Sequence, residues 1–458
     1  GRDGARAGRL GRGGKKGAEV AQAQSAEVTR ILTAALGRRD YDLEALEAAL
    51  RAAALGQAAA ALGHFMSTAG TARQAEPLPC SRCRTPMRGT GPRAKRILTM
   101  LGEVTYTRSR YRCPSCKAVR YPGDEVFDVV KTSRSPAVRR QTARLGAREP
   151  FHEVAEDLIE LAGIRLSRKD AERIAEGIGE DIEQRDARER ERMRFVPAPP
   201  LETPKTIETL YIEMDGTGVP MVPWEVAGRK GKQHDGSAKT REVKLGCVFT
   251  QTVLDQDGRP VRDPASTTFT GAIEDAATFG HRIYAEAVRR GLFLAKRVVA
   301  LGDGAEWIAN QVETHFPMAR RIVDFYHAKE HVAALCRALF ANPADAARYR
   351  ECWWDVLAQG HIEQLVERAS AFLPKDPNEN KDARREIEYL NKNKEHMRYA
   401  HFRKQGLFIG SGVIEAACKN LAGKRLKQSG MEWTVSGANA IIALRCATLS
   451  NRFKDYWD

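Results

Sequence analysis

Two cysteine pairs, Cys80-x-x-Cys83 and Cys113-x-x-Cys116, constrain this chain more tightly than any other feature. Each pair is a knuckle that turns two thiolates toward one point, and two knuckles supply the four ligands of a tetrahedral zinc. Residues 84–112 must leave that point and return to it, a longer excursion than the usual zinc-ribbon spacer, and they read as a β-hairpin with strand-like runs around Thr105–Arg112. The other five cysteines, Cys247, Cys336, Cys352, Cys418 and Cys446, stand singly in apolar contexts. An odd total of nine, with no secretory signal, argues for a reducing compartment and one structural zinc in place of disulfides. The plain alternative, four unliganded core thiols, is disfavoured by the spacing.

The charge balance points to a polyanionic partner. Seventy-four Lys plus Arg stand against 59 Asp plus Glu, a formal net charge of +15, a balance that ribosomal, chromatin and membrane-surface proteins share. No run approaches 18 consecutive apolar residues, so no membrane-spanning helix is expected. The first residues, "GRDGARAGRLGRGGKKG", are basic without an apolar stretch. They read as a disordered tail, residues 1–17, that is neither signal peptide nor domain, and the start at Gly1 suggests a fragment.

Composition and periodicity divide the rest into a multidomain α+β and α/β chain. Residues 18–75 form an N-terminal helical segment, two amphipathic helices broken near "GRRDYD", and residues 76–130 hold the zinc-ribbon-like module. Residues 131–194 are helical again and have helix-turn-helix proportions. "PFHEVAEDLIELAG" forms one helix and "RKDAERIAEGIGEDIEQ" a second, with Gly163 as C-terminal cap and Ser167 as N-cap answered by Asp170. Crowded prolines in "RFVPAPPLETPKT" end the helix and make residues 195–206 a linker. From residue 207 strands and helices alternate, and from about 328 to 405 the pattern is helical throughout.

Two basic groups in the N-terminal half are candidate DNA contacts. Arg108, Arg110 and Arg112 share a strand face with Tyr106 by period 2, and such a face follows a phosphate backbone or is simply solvated. Arg168, Lys169 and Arg173 open the second helix of the pair, where a reading helix would meet DNA, although paired helices are common in any helical domain.

The chemistry gathers in the α/β part. Leu210, Ile212 and Met214 alternate with Tyr211, Glu213 and Asp215, so Asp215 is expected to end a strand that packs one face into a core, and Gly216 and Gly218 to leave room for something to approach. Asp303 follows the strand Val298–Leu301, and Asp324 follows Ile322–Val323 with His327 three residues on. Strands that run the same way in one sheet bring these acids to one edge, where α/β folds bind ligands. Each acid also has a plainer role, Asp303 as a helix cap with Glu306 in a capping box, Asp215 in a glycine turn. Together, in a basic chain, they call for a hard cation such as Mg²⁺. In "IGSGVIEAACKNLAGKRLKQSG", Ser411 and Gly412 start a helix in which Glu415 is the one acid among Lys419, Lys424, Arg425 and Lys427. Those cations suit a DNA backbone, and Glu415 suits the metal that acts on it.

The segments "MDGTGVP", "LGDGAEWI", "IVDFYHAKEHV" and "GSGVIEAACKNLAGKRLKQSGMEWT" resemble bacterial insertion-sequence DDE transposases, nearest the ISKra branch. The resemblance runs from about Ala18 to the end. It implies a ribonuclease-H-like catalytic domain over residues 207–458, interrupted by a helical insertion, with Asp215, Asp303 and Glu415 as the catalytic triad holding two Mg²⁺ or Mn²⁺. Asp324 and His327 match an accessory Asp-x-x-His element, and Trp433 matches a tryptophan that some relatives place near the DNA end. The implied activity is cleavage of transposon ends and transfer of the 3′-hydroxyl to target DNA. The expected setting is the bacterial cytoplasm, nucleoid-associated when bound, as a homodimer or larger on double-stranded DNA and with no membrane. Two other readings remain: a catalytically silent, transposase-derived DNA-binding protein, and a ribonuclease-H-like nuclease or resolvase.

Overall fold

The computed structural model describes residues 26–37, 42–71, 78–193, 207–231 and 233–458. The basic tail and the proline linker lie outside the described residues, as does most of "GRRDYD". The chain forms two compact units, residues 1–146 with 150–174, and residues 147–149 with 175–458.

The first unit begins with helices α1 (26–37) and α2 (Leu43–Gly70), and Asp42 caps α2 through Oδ1, which accepts from the Ala45 N–H at 3.1 Å. The expected hairpin is present: β1 (Arg88–Thr99) pairs antiparallel with β2 (Gly102–Arg112), and short β3 (Val119–Arg120) joins β2. Helix α2 lies almost directly on the β2 backbone because it carries glycine there. A Cβ on Gly63 would stand 2.8 Å from the Thr105 carbonyl oxygen, and one on Gly70 2.9 Å from that of Thr107. Ser67 Oγ, between them, accepts from the Thr107 N–H at 3.0 Å. Ala59, Met66, Ile97, Val104, Tyr106 and Val129 form the core of this contact.

Helices α3 (Pro122–Val126), α4 (Pro136–Gly146), α5 (Phe151–Ala162) and α6 (Arg168–Met193) follow, and α6 continues from Ala175 into the second unit. The ends of the helix pair are as its sequence indicates. Gly163 closes α5 at φ 71°, and Ser167 Oγ accepts from the Asp170 N–H at 3.1 Å.

The second unit is built on one five-stranded sheet. Its strands are β4 (Ile207–Pro220), β5 (Thr240–Gln251), β8 (Thr268–Ala272), β9 (Ala295–Gly302) and β10 (Arg320–Val323); β6 (Val253–Leu254) and β7 (Pro260–Val261) form a separate hairpin. The order is β10-β9-β4-β5-β8, with β4, β5 and β8 antiparallel in succession and β9 and β10 parallel to β4. Short α7 (Pro223–Val226) precedes β5, and α8 (Ala276–Arg289) and α9 (Glu306–His315) cover one face through Phe279, Ile283, Ile308 and Val312 against Leu210, Ile212 and Val298. After β10 the chain is helical: α10 (Phe325–Leu339), α11 (Pro343–Ala358), α12 (Ile362–Ser370), α13 (Lys381–Asn393) and α14 (Tyr399–Lys404). Then come α15 (Gly412–Ala417), a π-helical turn over Cys418–Gly423, α16 (Lys424–Leu426) and the buried α17 (Val435–Leu449).

One strand end is corrected. Asp215 does not terminate β4, which runs on through Gly216 and Gly218 to Pro220, so the alternative role of Asp215 in a glycine turn falls as well. Both glycines lie in the ladder opposite Lys244 and Glu242, and a Cβ on Gly216 would stand 2.5 Å from a Glu242 carboxylate oxygen.

Candidate functional site

The parallel half of the sheet stops where the acids begin. Pairing of β4 with β9 ends at Glu213 and Leu301, and pairing of β10 with β9 ends at Val323 and Gly302. Asp215, Asp303 and Asp324 all follow within two residues of where that parallel pairing ends, Asp215 inside β4 and the other two just past the ends of β9 and β10. Asp215 Oδ1 accepts from the Gly216 N–H at 2.6 Å, and Oδ2 accepts from the Cys418 thiol at 3.1 Å. Burial pushes the Asp215 carboxyl above its ordinary pKa, and the nearby Asp303 charge pushes the same way. A cation placed between them relieves both effects.

Asp303 does not form the capping box with Glu306. Ala305 is the N-cap of α9, and Asp303 Oδ1 accepts from the Ala305 N–H at 2.9 Å. Asp324 is buried and does cap its helix: Oδ1 accepts from the His327 N–H at 2.6 Å, and Oδ2 accepts from both the N–H and the hydroxyl of Ser411 at 2.5 and 2.9 Å. With all these bonds made, Asp324 ties β10 to the start of α15.

Glu415 is exposed on α15 and accepts from the Ser411 hydroxyl at 3.3 Å. A second buried acid docks the same helix. Glu213 Oε2 accepts from the Ile414 N–H at 2.9 Å, and burial pushes the Glu213 carboxyl up to about 8. Two buried carboxyls therefore hold the first turn of α15 against the sheet and leave Glu415 facing out. Among the described residues, the three triad acids do not bring their ligand atoms within 4.8 Å of one another; the one such group of His, Cys, Asp or Glu is the cysteine cluster. The donor set is all-oxygen, which is the chemistry Mg²⁺ and Mn²⁺ accept.

The cysteines fit zinc in geometry as well as in donor type. Cys80 and Cys116 sulfurs lie 3.4 Å apart and those of Cys83 and Cys113 3.5 Å, close to the roughly 3.8 Å edge of a tetrahedron with Zn–S bonds of about 2.3 Å. Both knuckles have the same turn. The Cys80 N–H donates to the Thr85 carbonyl and the Cys113 N–H to that of Ala118, while Arg84 and Lys117, one past each second cysteine, both sit at φ 62°. Hydrogen bonds from Thr85 draw the Cys83 thiol down to about 6, toward the thiolate that metals bind.

The candidate DNA contacts separate into two groups. Arg168, Lys169, Arg173, Lys419, Lys424 and Lys427 are exposed. Arg112 is exposed and Arg110 half-buried, but Arg108 is not a free face. It lies 2.6 Å from the buried Asp124 and 4.2 Å over the Tyr121 ring, and Tyr106 Oη donates to the same carboxylate at 2.6 Å. Arg425 and Trp433 are corrected in the same way. Arg425 is fully buried with its guanidinium 5.1 Å from the centre of the Trp433 ring, and buried Trp433 donates its Nε1–H to the Leu426 carbonyl at 3.0 Å. They are packing partners of each other, and neither side chain presents itself to a DNA end.

Residues 287–453 match an uncharacterised protein family, UPF0236. The UPF0236 protein in the vanSb 3′ region of Streptococcus gallolyticus is 22% identical over 374 residues, which is 80% of this chain and 74% of that protein. Among solved structures, the Drosophila P element transposase strand transfer complex aligns at 10% identity and a TM-score of 0.24, over 69% of this chain and 79% of that chain. An overlay that distant leaves the fold to the strand order itself, and none of these relatives distinguishes a branch of insertion-sequence transposases. No described helix is long and apolar enough to cross a membrane.

Four side chains at the site carry no sequence signal of their own. Cys418 reads as an isolated apolar cysteine, and Glu386, Tyr389 and His331 as positions in amphipathic helices. Only the fold brings them to the acids: His331 and Tyr389 line an open cleft of about 410 Å³ together with Asp303 and His327.

Proposed function

We propose that the chain is a DDE-type DNA transposase whose second unit is a ribonuclease-H-like catalytic domain with a helical insertion. The observation that carries this reading is the sheet. Three antiparallel strands are extended by two parallel ones in the order β10-β9-β4-β5-β8, with Asp215 on the first strand, Asp303 after the fourth, and Glu415 on a helix after the helical run. That is the arrangement expected of a ribonuclease-H-like site.

In this reading Asp215, Asp303 and Glu415 hold two Mg²⁺ or Mn²⁺, which when bound activate the attacking oxygen and stabilise the leaving one. The protein's own contribution is placement. Asp324 and Glu213 fix the start of α15, and Glu415 projects from it over the sheet edge. Lys419, Lys424 and Lys427 take up the phosphate backbone, and Arg168, Lys169 and Arg173 contact the element's ends together with a zinc-stabilised ribbon module. Joining two ends in one event calls for a dimer or larger assembly on DNA, in the cytoplasm of a bacterial cell.

The test is a plasmid carrying the gene's native flanking DNA around a marker, scored for strand cleavage and insertion in Mg²⁺. Wild type should give both products and Glu415→Gln neither. Products from both proteins would remove Glu415 from the site. Specific DNA binding with no cleavage in Mg²⁺ or Mn²⁺ would establish the silent DNA-binding reading, against which the intact Asp215, Asp303 and Glu415 argue. Cleavage that follows DNA structure or a hybrid duplex and ignores the element's ends would establish a nuclease or resolvase.

A further inference from the structure

Helix α13, far along the helical run, reaches back to the loop that carries Asp303. Tyr389 Oη donates to the Asp303 carbonyl oxygen at 2.7 Å. The loop is shaped to accept it: Gly304 sits at φ 84°, and a Cβ there would stand 2.6 Å from the Tyr389 hydroxyl. The Tyr389 ring is itself held. It stacks on His331 of α10 with ring centres 3.6 Å apart and planes 18° from parallel. His331 Nδ1 lies 2.5 Å from a carboxylate oxygen of Glu386, three residues before Tyr389 on α13, and the Glu386 side chain is only 9% exposed. His331 Nε2 faces His327 Nε2 at 3.3 Å.

These contacts form a closed path. Glu386 and Tyr389 occupy one face of α13 at i, i+3, and His331 is clasped between a carboxylate and a ring from that face. A buried carboxylate against an imidazole nitrogen fixes which way the ring lies, and the stacked phenol then has one direction in which to donate. That direction is the backbone of the residue bearing the second acid. The same path engages His327 Nε2, so the Asp-x-x-His element is tied into it.

We infer that Tyr389, clamped by His331 and Glu386, is a positioning residue for Asp303, so that the helical run sets the geometry of the second acid. This rests on the proposed metal site. Loss of an outer partner of a metal ligand typically costs 10–100-fold in metal affinity or activity. Tyr389→Phe keeps the stacked ring and removes only the hydroxyl, so the fold should survive, as a circular dichroism melt would verify. Mn²⁺ affinity, measured by calorimetry on the zinc-loaded protein without DNA, should fall about tenfold in Tyr389→Phe. DNA affinity of the zinc-loaded protein, measured without Mg²⁺, Mn²⁺ or chelator, should stay at the wild-type value. In cleavage assays the variant should need about tenfold more Mn²⁺ for half-maximal rate. Gly304→Ala, which displaces the hydroxyl from the other side, should reproduce the loss.

Wild-type Mn²⁺ affinity in both variants would overturn the inference, provided Asp303→Asn abolishes binding in the same assay. If Asp303→Asn also binds Mn²⁺ normally, the metal-site reading fails first and takes this inference with it.

Discussion

The cysteine cluster and the proposed carboxylate site are assembled in opposite ways. In the first unit four cysteines come from two short turns of the same geometry, and the ligands already stand at near-tetrahedral spacing. In the second unit three carboxylates come from a strand interior, a loop after another strand, and a helix more than a hundred residues later, and they are held only through intermediaries. Ser411 bridges Asp324 to Glu415, Glu213 holds the α15 backbone, and Tyr389 holds the Asp303 loop. A local site is shaped by its own turns and needs little else, whereas a composite site depends on buried groups that never touch the ligand.

Substitution should break this contrast most visibly at the acids. Asp215→Asn, Asp303→Asn and Glu415→Gln should each abolish DNA cleavage in Mg²⁺ while leaving the melting temperature at or above wild type, because each removes a charge from a cluster of like charges. Gel assays and calorimetry on the same preparations check both halves. The cysteines should behave in the reverse sense. Cys80→Ser or Cys113→Ser should lower bound zinc from one equivalent toward zero by elemental analysis and unfold the knuckles, since structural zinc supplies folding free energy directly.

Next in size are the buried cations. Arg108→Gln should destabilise the first unit by about 2 kcal/mol, the scale for losing the charge-assisted hydrogen bonds from its guanidinium to the Arg93 and Ala94 carbonyls, with DNA affinity unchanged when measured below the melting transition. Glu213 sharpens the contrast through pH. Its folded pKa, pushed up to about 8, lies above its ordinary value, so its stabilising contribution is complete below about pH 4.5 and is lost as pH rises through 8. Glu213→Gln should therefore melt at least about 3 °C higher than wild type at pH 9 in metal-free buffer, the shift that about 1 kcal/mol produces in a domain of this size, with a much smaller gain at pH 5. The smallest effect belongs to the surface: Lys419→Gln, Lys424→Gln or Lys427→Gln should each reduce the slope of log affinity against log salt by about 1.

The sequence exposes the features that depend on short spacing. The knuckles, the hairpin between them, the caps at Gly163 and Ser167 and the strand-end positions of Asp303 and Asp324 all follow from residues a few positions apart. What it hides depends on partners chosen by the fold. Arg108 and Arg425 look like free cations in any periodic reading, yet one is claimed by Asp124 and the other by Trp433. Asp215 looks like a strand end because the apolar alternation stops there, yet β4 continues through both glycines in its ladder with β5. Tyr389 and His331 are invisible for the same reason: nothing near them in sequence says that α13 returns to the Asp303 loop.

The most direct measurement replaces Mg²⁺ with Fe²⁺ in zinc-loaded protein and maps backbone cleavage after ascorbate and peroxide. Cuts at three segments, around 215, 303 and 415, all lost in Asp303→Asn, are the expected result for one shared metal site. Cuts confined to a single segment, or unchanged by Asp303→Asn, would contradict it.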